Sequence, residues 1–566
     1  MSNRSLQAWI RALEAIRVLE RPPSPTLAGL LDALSRAHGD RPALLGAGEA
    51  LSYRGLVTRA NRIARWATAC GLAPGTTVGL VMRNCPDYVA IWLGLTRVGC
   101  VVALISAALG ADALRHCLAE ARATRLITGL PLPPGLDQFA GPHCAWPALL
   151  DQVEAFDDAP LEQPAPEPQH TALLVFTSGT TGWPKAARIS HGRIAEWSLW
   201  FAGMMDVGAE DRLYDCLPLH HSTGGVVAIG AMLVRGGSVQ IADGFSARRF
   251  WDDVVDSQCT LFFYIGELCR YLVRSPPHPR ERQHRLRLAC GNGLRAEVWT
   301  AFQDRFAIPN ILEFYAATEG CVSLYNCEEK PGAIGRVPPF LAPRFPFALI
   351  RVDESGAPLR DAAGLCIVCG PDEPGEAIGP LGAGRFEGYT DPGASARKLL
   401  ADVFAPGDRW FRTGDLMRRD TAGFVTFVDR LGETFRWKGE NVSATEVADA
   451  VRACPSVLEA AVYGVRVPGE EGRAGMAAIV ADDQFDIAAL ARHLASRLPS
   501  YAQPLFVRRC QSLDQTETFK LSTLRLAAEG YEGVRDPLWF RDGASGRYVP
   551  CDADLCRAIA DGTRRT

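Results

Sequence analysis

Between Leu173 and His191 the chain reads LLVFTSGTTGWPKAARISH. An apolar run, Leu173 to Phe176, stops at Thr177. Ser178, Gly179, Thr180, Thr181 and Gly182 follow, then a single Lys185. Glycines let a backbone turn tightly and aim several N–H groups at one point, and hydroxyls add donors at short reach. The lysine adds charge: a unit pair ~4 Å apart is worth about 4 kcal/mol at an intermediate dielectric. That combination suits a phosphate chain. It is not the GxxxxGK[ST] loop, because Pro184 precedes the lysine and Ala186 follows it. Taken alone, the stretch also reads as a plain Gly-Thr turn.

Three further segments carry groups of the right chemistry. YAATEG places Tyr315 and Ala316 before Thr318 and Glu319; RTGDL carries Asp415; ETFKLSTLR carries Lys520. Singly, each has an ordinary reading. Asp415 fits a turn, Glu319 a surface charge, Tyr315 a core position and Lys520 a solvated lysine. Together and in this order, with TSGTTGWPK, they resemble the adenylate-forming superfamily of acyl-CoA synthetases, luciferases and peptide-synthetase adenylation domains. FFYIGELCRYLV, ACGNGLRAEVW, DRLGETFRWKGENVSATEV and GYEGVRDPLWFRD resemble its fatty-acid transport protein branch, the very-long-chain acyl-CoA synthetases. The resemblance runs from roughly Leu27 to Val549.

The resemblance implies an ATP-dependent fatty acid–CoA ligase for long or very long chains, with coupling to uptake as an extension. A carboxylate is a poor electrophile, so it is first joined to AMP; the thiol of coenzyme A then displaces AMP. Thr177, Ser178, Thr180, Thr181 and Lys185, with Gly179 and Gly182, would cradle the phosphates. Glu319 would hold Mg2+, a hard cation suited to carboxylate and phosphate oxygens, and Thr318 would touch the α-phosphate. Asp415 would accept from the ribose hydroxyls, with Arg430 near it. Tyr315 would stack on adenine, opposite a wall of Gly291, Asn292 and Gly293. Lys520 would bridge the substrate carboxylate and the α-phosphate, stabilising charge in the transition state. Gly432 would be the hinge on which a small domain swings between the half-reactions. His221, Tyr264 and Gly266 would shape the acyl site, where each buried methylene contributes ~0.8 kcal/mol. The chain departs from the family pattern at His220, Gly432 and Phe519. Two other readings stay open: an acyl-AMP ligase loading a carrier-protein thiol, and a catalytically weak fatty-acid-binding or transport protein.

These groups need elements to hold them. Helical and strand-like patterns alternate from about Leu27, which argues an α/β fold: a large N-terminal domain of mixed sheets and flanking helices over 1–429, and a small mobile α/β domain over 430–566. TTVGLVM (76–82) and ALLVF (172–176) read as buried strands. Ser443 and Glu446 have capping-box spacing before a helix that Pro455 ends, and VLEAAVYGV reads as the next strand. The apolar stretch from Tyr88 to Gly110 is interrupted by Arg97, and neither half reaches the ~18 residues of a spanning helix. A core helix and a buried strand fit it better. Leu6, Trp9, Ile10, Leu13 and Ile16 recur on one helical face, expected to pack on its own domain, with contact to a membrane surface as the alternative.

Bulk properties exclude several classes. The chain has 566 residues, 48% of them hydrophobic, and a net charge of -4. It has material for more than one core, and no basic stripe suited to nucleic acid. Seventeen cysteines are scattered with one CxxC, Cys366 and Cys369, and no second pair at zinc spacing. They read as reduced thiols of a cytoplasmic protein, one that could also sit at the inner face of the plasma membrane.

Overall fold

Parallel strands buried on both faces read as continuous apolar runs, and two such sheets organise the first part of the chain. The structure, a computed structural model, describes every residue except 1–2, 23, 134–135, 137–141, 147, 178–182, 354–355, 383–385, 432–433, 438–439, 469, 471, 515–522, 544 and 565–566. An eight-stranded sheet runs Ser323–Asn326, Ile311–Ala316, Leu288–Asn292, Leu261–Ile265, Arg212–Asp215, Ser238–Ile241, Pro42–Gly46, Glu49–Ser52. Its six inner strands are parallel and its two edges antiparallel. A six-stranded sheet runs His143–Ala145, Arg125–Thr128, Thr77–Val81, Val101–Ile105, Thr171–Thr177, Lys185–Ser190, parallel except for the last strand. The strands expected at 76–82 and 172–176 are both in it.

The apolar stretch after Tyr88 resolves into the helix Pro86–Arg97 and the strand Val101–Ile105. The helix touches strands of both sheets and is buried along its length, which is why it is apolar all round. Proline at its start takes the position where a missing N–H costs nothing. Arg97 is tolerated there because its guanidinium meets Asp32 at 3.2 and 2.5 Å. Removing one partner of such a pair costs about 3–5 kcal/mol.

The first helix, Asn3–Ile16, packs on its own domain, but on a different face from the one its pattern predicts. Trp9 and Ile16 are buried, together with Ser5, Ala8, Ala12 and Ala15, while Leu6, Ile10 and Leu13 are half-buried. The cause is a close crossing with the helix His191–Met204: a Cβ at Gly203 would lie 2.5 Å from the Ala12 backbone. Small residues let the two backbones approach, so they take the interface. Trp9 anchors it among Trp200, Tyr325 and Phe345, with ring centroids 5.5–5.9 Å away.

Residues 1–345 with 380–399 form one compact unit, and 346–379 with 400–566 a second. The second contains a five-stranded sheet of Ala348–Ile350, Gly375–Pro380, Arg409–Arg419, Leu399–Ala401 and Val425–Arg430, and further on a sheet of Val457–Val465, Ala474–Ala481, Phe506–Arg509, Leu538–Arg541 and Tyr548–Pro550. Between these sheets in sequence, Ser443 caps the helix Ala444–Arg452, accepting from the Glu446 N–H at 3.1 Å. The cap itself is anchored: the Ser443 and Thr445 hydroxyls donate to the buried Asp429 carboxylate at 2.7 and 3.0 Å. Val451, Val457, Ile479, Leu490, Phe506, Phe540 and Ile559 meet in one core. All seventeen cysteines are free thiols. Among the described residues no helix is long and apolar enough to cross a membrane.

Candidate active site

Parallel sheets collect ligand-binding groups at the carboxyl ends of their strands, where loops leave the sheet. Strand Ile311–Ala316 ends in the half-buried Tyr315 and the exposed Ala316. A tight turn follows. The Gly320 N–H donates to the Ala317 carbonyl at 2.8 Å, and Gly320 has φ 84°, a conformation that favours glycine. A Cβ there would also lie 2.8 Å from the Arg193 guanidinium packed beneath it. Arg193 donates to the Glu319 carbonyl at 3.0 Å. The turn thus presents Thr318 and Glu319, both half-buried, on a fixed base.

A residue from far along the chain completes this base. The Tyr389 hydroxyl donates to the Glu319 carboxylate and lies in hydrogen-bond reach of the Thr177 hydroxyl. Burial, then the charge of Glu319, pushes the Tyr389 phenol far up, so it stays a proton donor at neutral pH. Tyr389 therefore links the Glu319 turn to the strand end from which the hydroxyl-rich loop departs. Across that strand pair Thr177 stands opposite Lys185, so the two ends of the loop sit side by side. Ser178, Gly179, Thr180, Thr181 and Gly182 lie outside the described residues. The loop's exit is pinned: Trp183 stacks on His116 at 5.2 Å, and the His116 ring contacts the Pro184 carbonyl at 3.1 Å.

Gly291 and Asn292 end the neighbouring strand Leu288–Asn292, and Gly293 follows it. A Cβ at Gly266 would lie 1.9 Å from the Gly293 carbonyl oxygen, so the two segments approach closely only because position 266 is glycine. Tyr264 is fully buried, and its hydroxyl donates to Glu313 at 2.5 Å. Glu313 also accepts from the Leu294 N–H at 3.0 Å. It holds the turn after Gly293 in place, and burial pushes its carboxyl up to about 8. Tyr264 and Gly266 are thus packed into the wall behind the Gly291–Gly293 segment. His221 is half-buried, 4.4 Å from the His220 ring, and precedes the wide helical turn Ser222–Ala228. Such turns recur at functional sites.

In the second unit, Asp415 and Arg430 are direct cross-strand partners, with Nε and Oδ1 3.3 Å apart. The Asp415 N–H donates to the Thr413 hydroxyl at 3.0 Å, and that hydroxyl donates to the Ala377 carbonyl at 2.6 Å. Beside them the fully buried Glu376 accepts from Arg412 at 2.6–3.1 Å and from the Gly414 N–H at 3.1 Å. Asp415 is held on a strand stiffened by a buried ion pair. Gly432 and Lys520 lie outside the described residues.

Among the described residues no three His, Cys, Asp or Glu side chains cluster to hold a metal by themselves. One carboxylate, Glu319, with hydroxyls nearby is instead the donor set of a cation that arrives with phosphates: Mg2+ keeps most of its shell from water and phosphate oxygens. Four residues that hold the site escape a reading of motifs: Tyr389, Arg193, Glu313 and Glu376. Glu313 and Glu376 carried a faint signal, each a lone carboxylate inside an apolar strand. Tyr389 and Arg193 carried none, because their partners are 70 and 126 residues away.

The sequence matches the model of the AMP-binding enzyme family over residues 31–372 and that of the AMP-binding enzyme C-terminal domain over 446–520. It is 38% identical to "Long-chain fatty acid transport protein 1" of Mus musculus over 571 residues, 96% of this chain and 88% of that one. It is 39% identical to "Medium/long-chain-fatty-acid--CoA ligase FadD6" of Mycobacterium tuberculosis over 563 residues, 97% of this chain and 93% of that one. Its fold is that of ATP-bound MatB from Rhodopseudomonas palustris, with a TM-score of 0.74 over 89% of this chain and 98% of that one, at 23% identity. By the family-model match over most of its length and the relatives it matches nearly end to end, the chain belongs to the AMP-binding enzyme family.

Proposed function

We propose that this protein is an ATP-dependent fatty acid–CoA ligase that activates long- or medium-to-long-chain acids through an acyl-adenylate. The observation that carries this reading is the end-to-end similarity, 39% over 97% of the chain, to a relative named as such a ligase. Thr177 and Lys185 paired at the two ends of one loop, with Tyr389 reaching both Glu319 and Thr177, support it.

In this reading the residues divide the work. Lys185 and the loop from Thr177 to Gly182 bind the β- and γ-phosphates and lead pyrophosphate out. Thr318 contacts the α-phosphate. Asp415 accepts from the ribose hydroxyls while Arg430 fixes its rotamer. Tyr315 and the Gly291–Gly293 segment enclose adenine. His221, Tyr264 and Gly266 line or back the acyl site. Glu319, with water and phosphate oxygens, would hold Mg2+, whose charge offsets that of the polyphosphate. Lys520 stabilises the charge that develops as the carboxylate attacks the α-phosphate. The segment from Arg430 on, pivoting at Gly432, then withdraws Lys520 and admits coenzyme A to the acyl-adenylate. The thiol attacks the carbonyl, AMP leaves, and the acid is trapped as a thioester. Trapping lowers the free acid concentration inside the cell and so supports uptake from a membrane surface.

The test is a panel of acids of increasing length, scored for ATP- and Mg2+-dependent pyrophosphate release and for thioester yield with coenzyme A or a carrier-protein thiol. Acid-dependent pyrophosphate release and acyl-CoA formation are expected. Pyrophosphate release with thioester only on the carrier protein would replace the acceptor. No release with any fatty acid would overturn the reading.

A further inference from the structure

Tyr389 lies outside the four segments TSGTTGWPK, YAATEG, RTGDL and ETFKLSTLR, yet its backbone, ring and hydroxyl are all engaged. Its backbone is built into the six-stranded sheet. The Arg188 N–H donates to the Gly388 carbonyl and the Thr390 N–H to the Ala186 carbonyl, each at 3.0 Å, and Tyr389 bridges Ala187. The segment Gly388–Thr390 is therefore an added edge to the strand Lys185–Ser190, the strand that carries Lys185.

The flanks are tied as firmly. Glu387 accepts from the Ser190 N–H at 2.6 Å and from the Ser190 hydroxyl at 2.7 Å, and lies 3.4 Å from Arg193. The Tyr389 N–H donates to the Ser395 hydroxyl at 2.9 Å. The ring packs on Ala187 and Ala394. Arg193, gripped by Glu387, is the same guanidinium that carries the Glu319 turn. Two routes thus run from the 387–389 segment to Glu319, one through the phenol to its carboxylate and one through Arg193 to its carbonyl.

A half-buried glutamate with free rotation spreads its charge over several rotamers, and a ligand must pay to collect them. A donor on one carboxylate oxygen holds the group in a single orientation. Partners of this kind, behind a metal-binding carboxylate, are typically worth ~10-fold or more in cation affinity. We propose that Tyr389 is a positioning residue for the cation that accompanies ATP: its hydroxyl orients the Glu319 carboxylate and registers it to Thr177 at the mouth of the phosphate loop. This rests on the reading in which Glu319 holds the cation of the nucleotide complex.

The experiment is a Mn2+ titration of the full chain with a non-hydrolysable ATP analogue, followed by electron paramagnetic resonance, for the wild-type protein and Tyr389→Phe. Tyr389→Phe keeps the ring against Ala187 and Ala394 and deletes only the hydroxyl. Binding of Mn2+ to the nucleotide-bound protein is expected to weaken ~10-fold, with the Mg2+ concentration for half-maximal rate rising in step. The KM for fatty acid and the melting temperature should stay unchanged. Tyr389→Ala should lose cation affinity and stability together, so weak Mn2+ binding at unchanged melting temperature isolates the hydroxyl. Should Tyr389→Phe melt early, affinities are compared at a temperature where both proteins are folded. Equal Mn2+ affinity in the two proteins, or no nucleotide-dependent Mn2+ binding by the wild type, overturns the proposal. The wild type's thioester yield reports separately on the ligase reading: weakened Mn2+ binding in Tyr389→Phe without any acyl-CoA from the wild type would sink that reading and leave the positioning role standing.

Discussion

Glu319, on the turn after a strand, and Asp415, within one, are both carboxylates, but they are held by opposite means. Asp415 is held by its neighbours in one antiparallel sheet: Arg430 across the ladder, Thr413 two residues back, and the Arg412–Glu376 pair alongside. Glu319 stands on a turn with little support of its own and is held from afar, by Arg193 and Tyr389. The difference suits the tasks proposed for them. A ribose is a rigid ligand with two fixed hydroxyls, which a sheet can match. A phosphate chain with its cation is flexible and highly charged, and several segments must converge on it.

That contrast concerns binding, and the largest expected effect tests whether binding is separate from chemistry. Lys520→Ala should slow adenylation on the order of 10²–10³-fold, the usual cost of removing a group that stabilises transition-state charge. Thioester formation from supplied acyl-adenylate should be spared, as read by acyl-CoA yield. Equal loss in both half-reactions would mean that Lys520 serves binding or folding instead.

Glu376→Ala probes the sheet beneath Asp415. It leaves the Arg412 guanidinium without its buried partner and should cost about 3 kcal/mol of stability, measured by chemical denaturation. ATP affinity should fall as well, because the strand carrying Asp415 loses its anchor. An unaltered denaturation midpoint would show that Asp415 is held some other way. Asp415→Ala should weaken ATP binding ~10- to 100-fold, the worth of one or two hydrogen bonds to a charged group, with a smaller change in fatty-acid affinity. Calorimetric titration with each ligand decides it, and unchanged nucleotide affinity would remove Asp415 from the ribose role.

The smallest effect is a pH dependence. Burial holds the Glu313 carboxyl near 8, above its ordinary value of 4.5. The folded state therefore keeps a proton that the unfolded chain releases. The corresponding stability is fully present below about 4.5 and is lost as pH rises through about 8. Asp215, also raised to about 8 by burial, acts with the same sign. Glu313→Gln should flatten part of the fall in melting temperature between pH 5 and pH 8, by a few degrees at most. A slope identical to the wild type's would mean that Glu313 is not the group that titrates.

Much of the scaffold was legible because the physics is local. Apolar runs of five to seven residues became buried strands, Ser443 capped its helix, and the stretch after Tyr88 divided into a core helix and a strand. The first helix shows the limit. Its period marked a packing face near Trp9, but the close approach of Gly203 on another helix to the Ala12 backbone turned the face so that Ala8, Ala12 and Ala15 are buried with Trp9 and Ile16.

Sequence by itself determined which chemical groups this protein carries, and their order, because each lies in a short run of neighbouring residues: hydroxyls and glycines before Lys185, Thr318 and Glu319 after Tyr315, and Asp415 in RTGDL. Tertiary structure alone decided how those groups are held. Tyr389, Arg193 and Glu376 act on partners tens to hundreds of residues away, and a hydrogen bond of that span leaves no period or spacing in the chain. It exists only once burial has removed water as the competing partner.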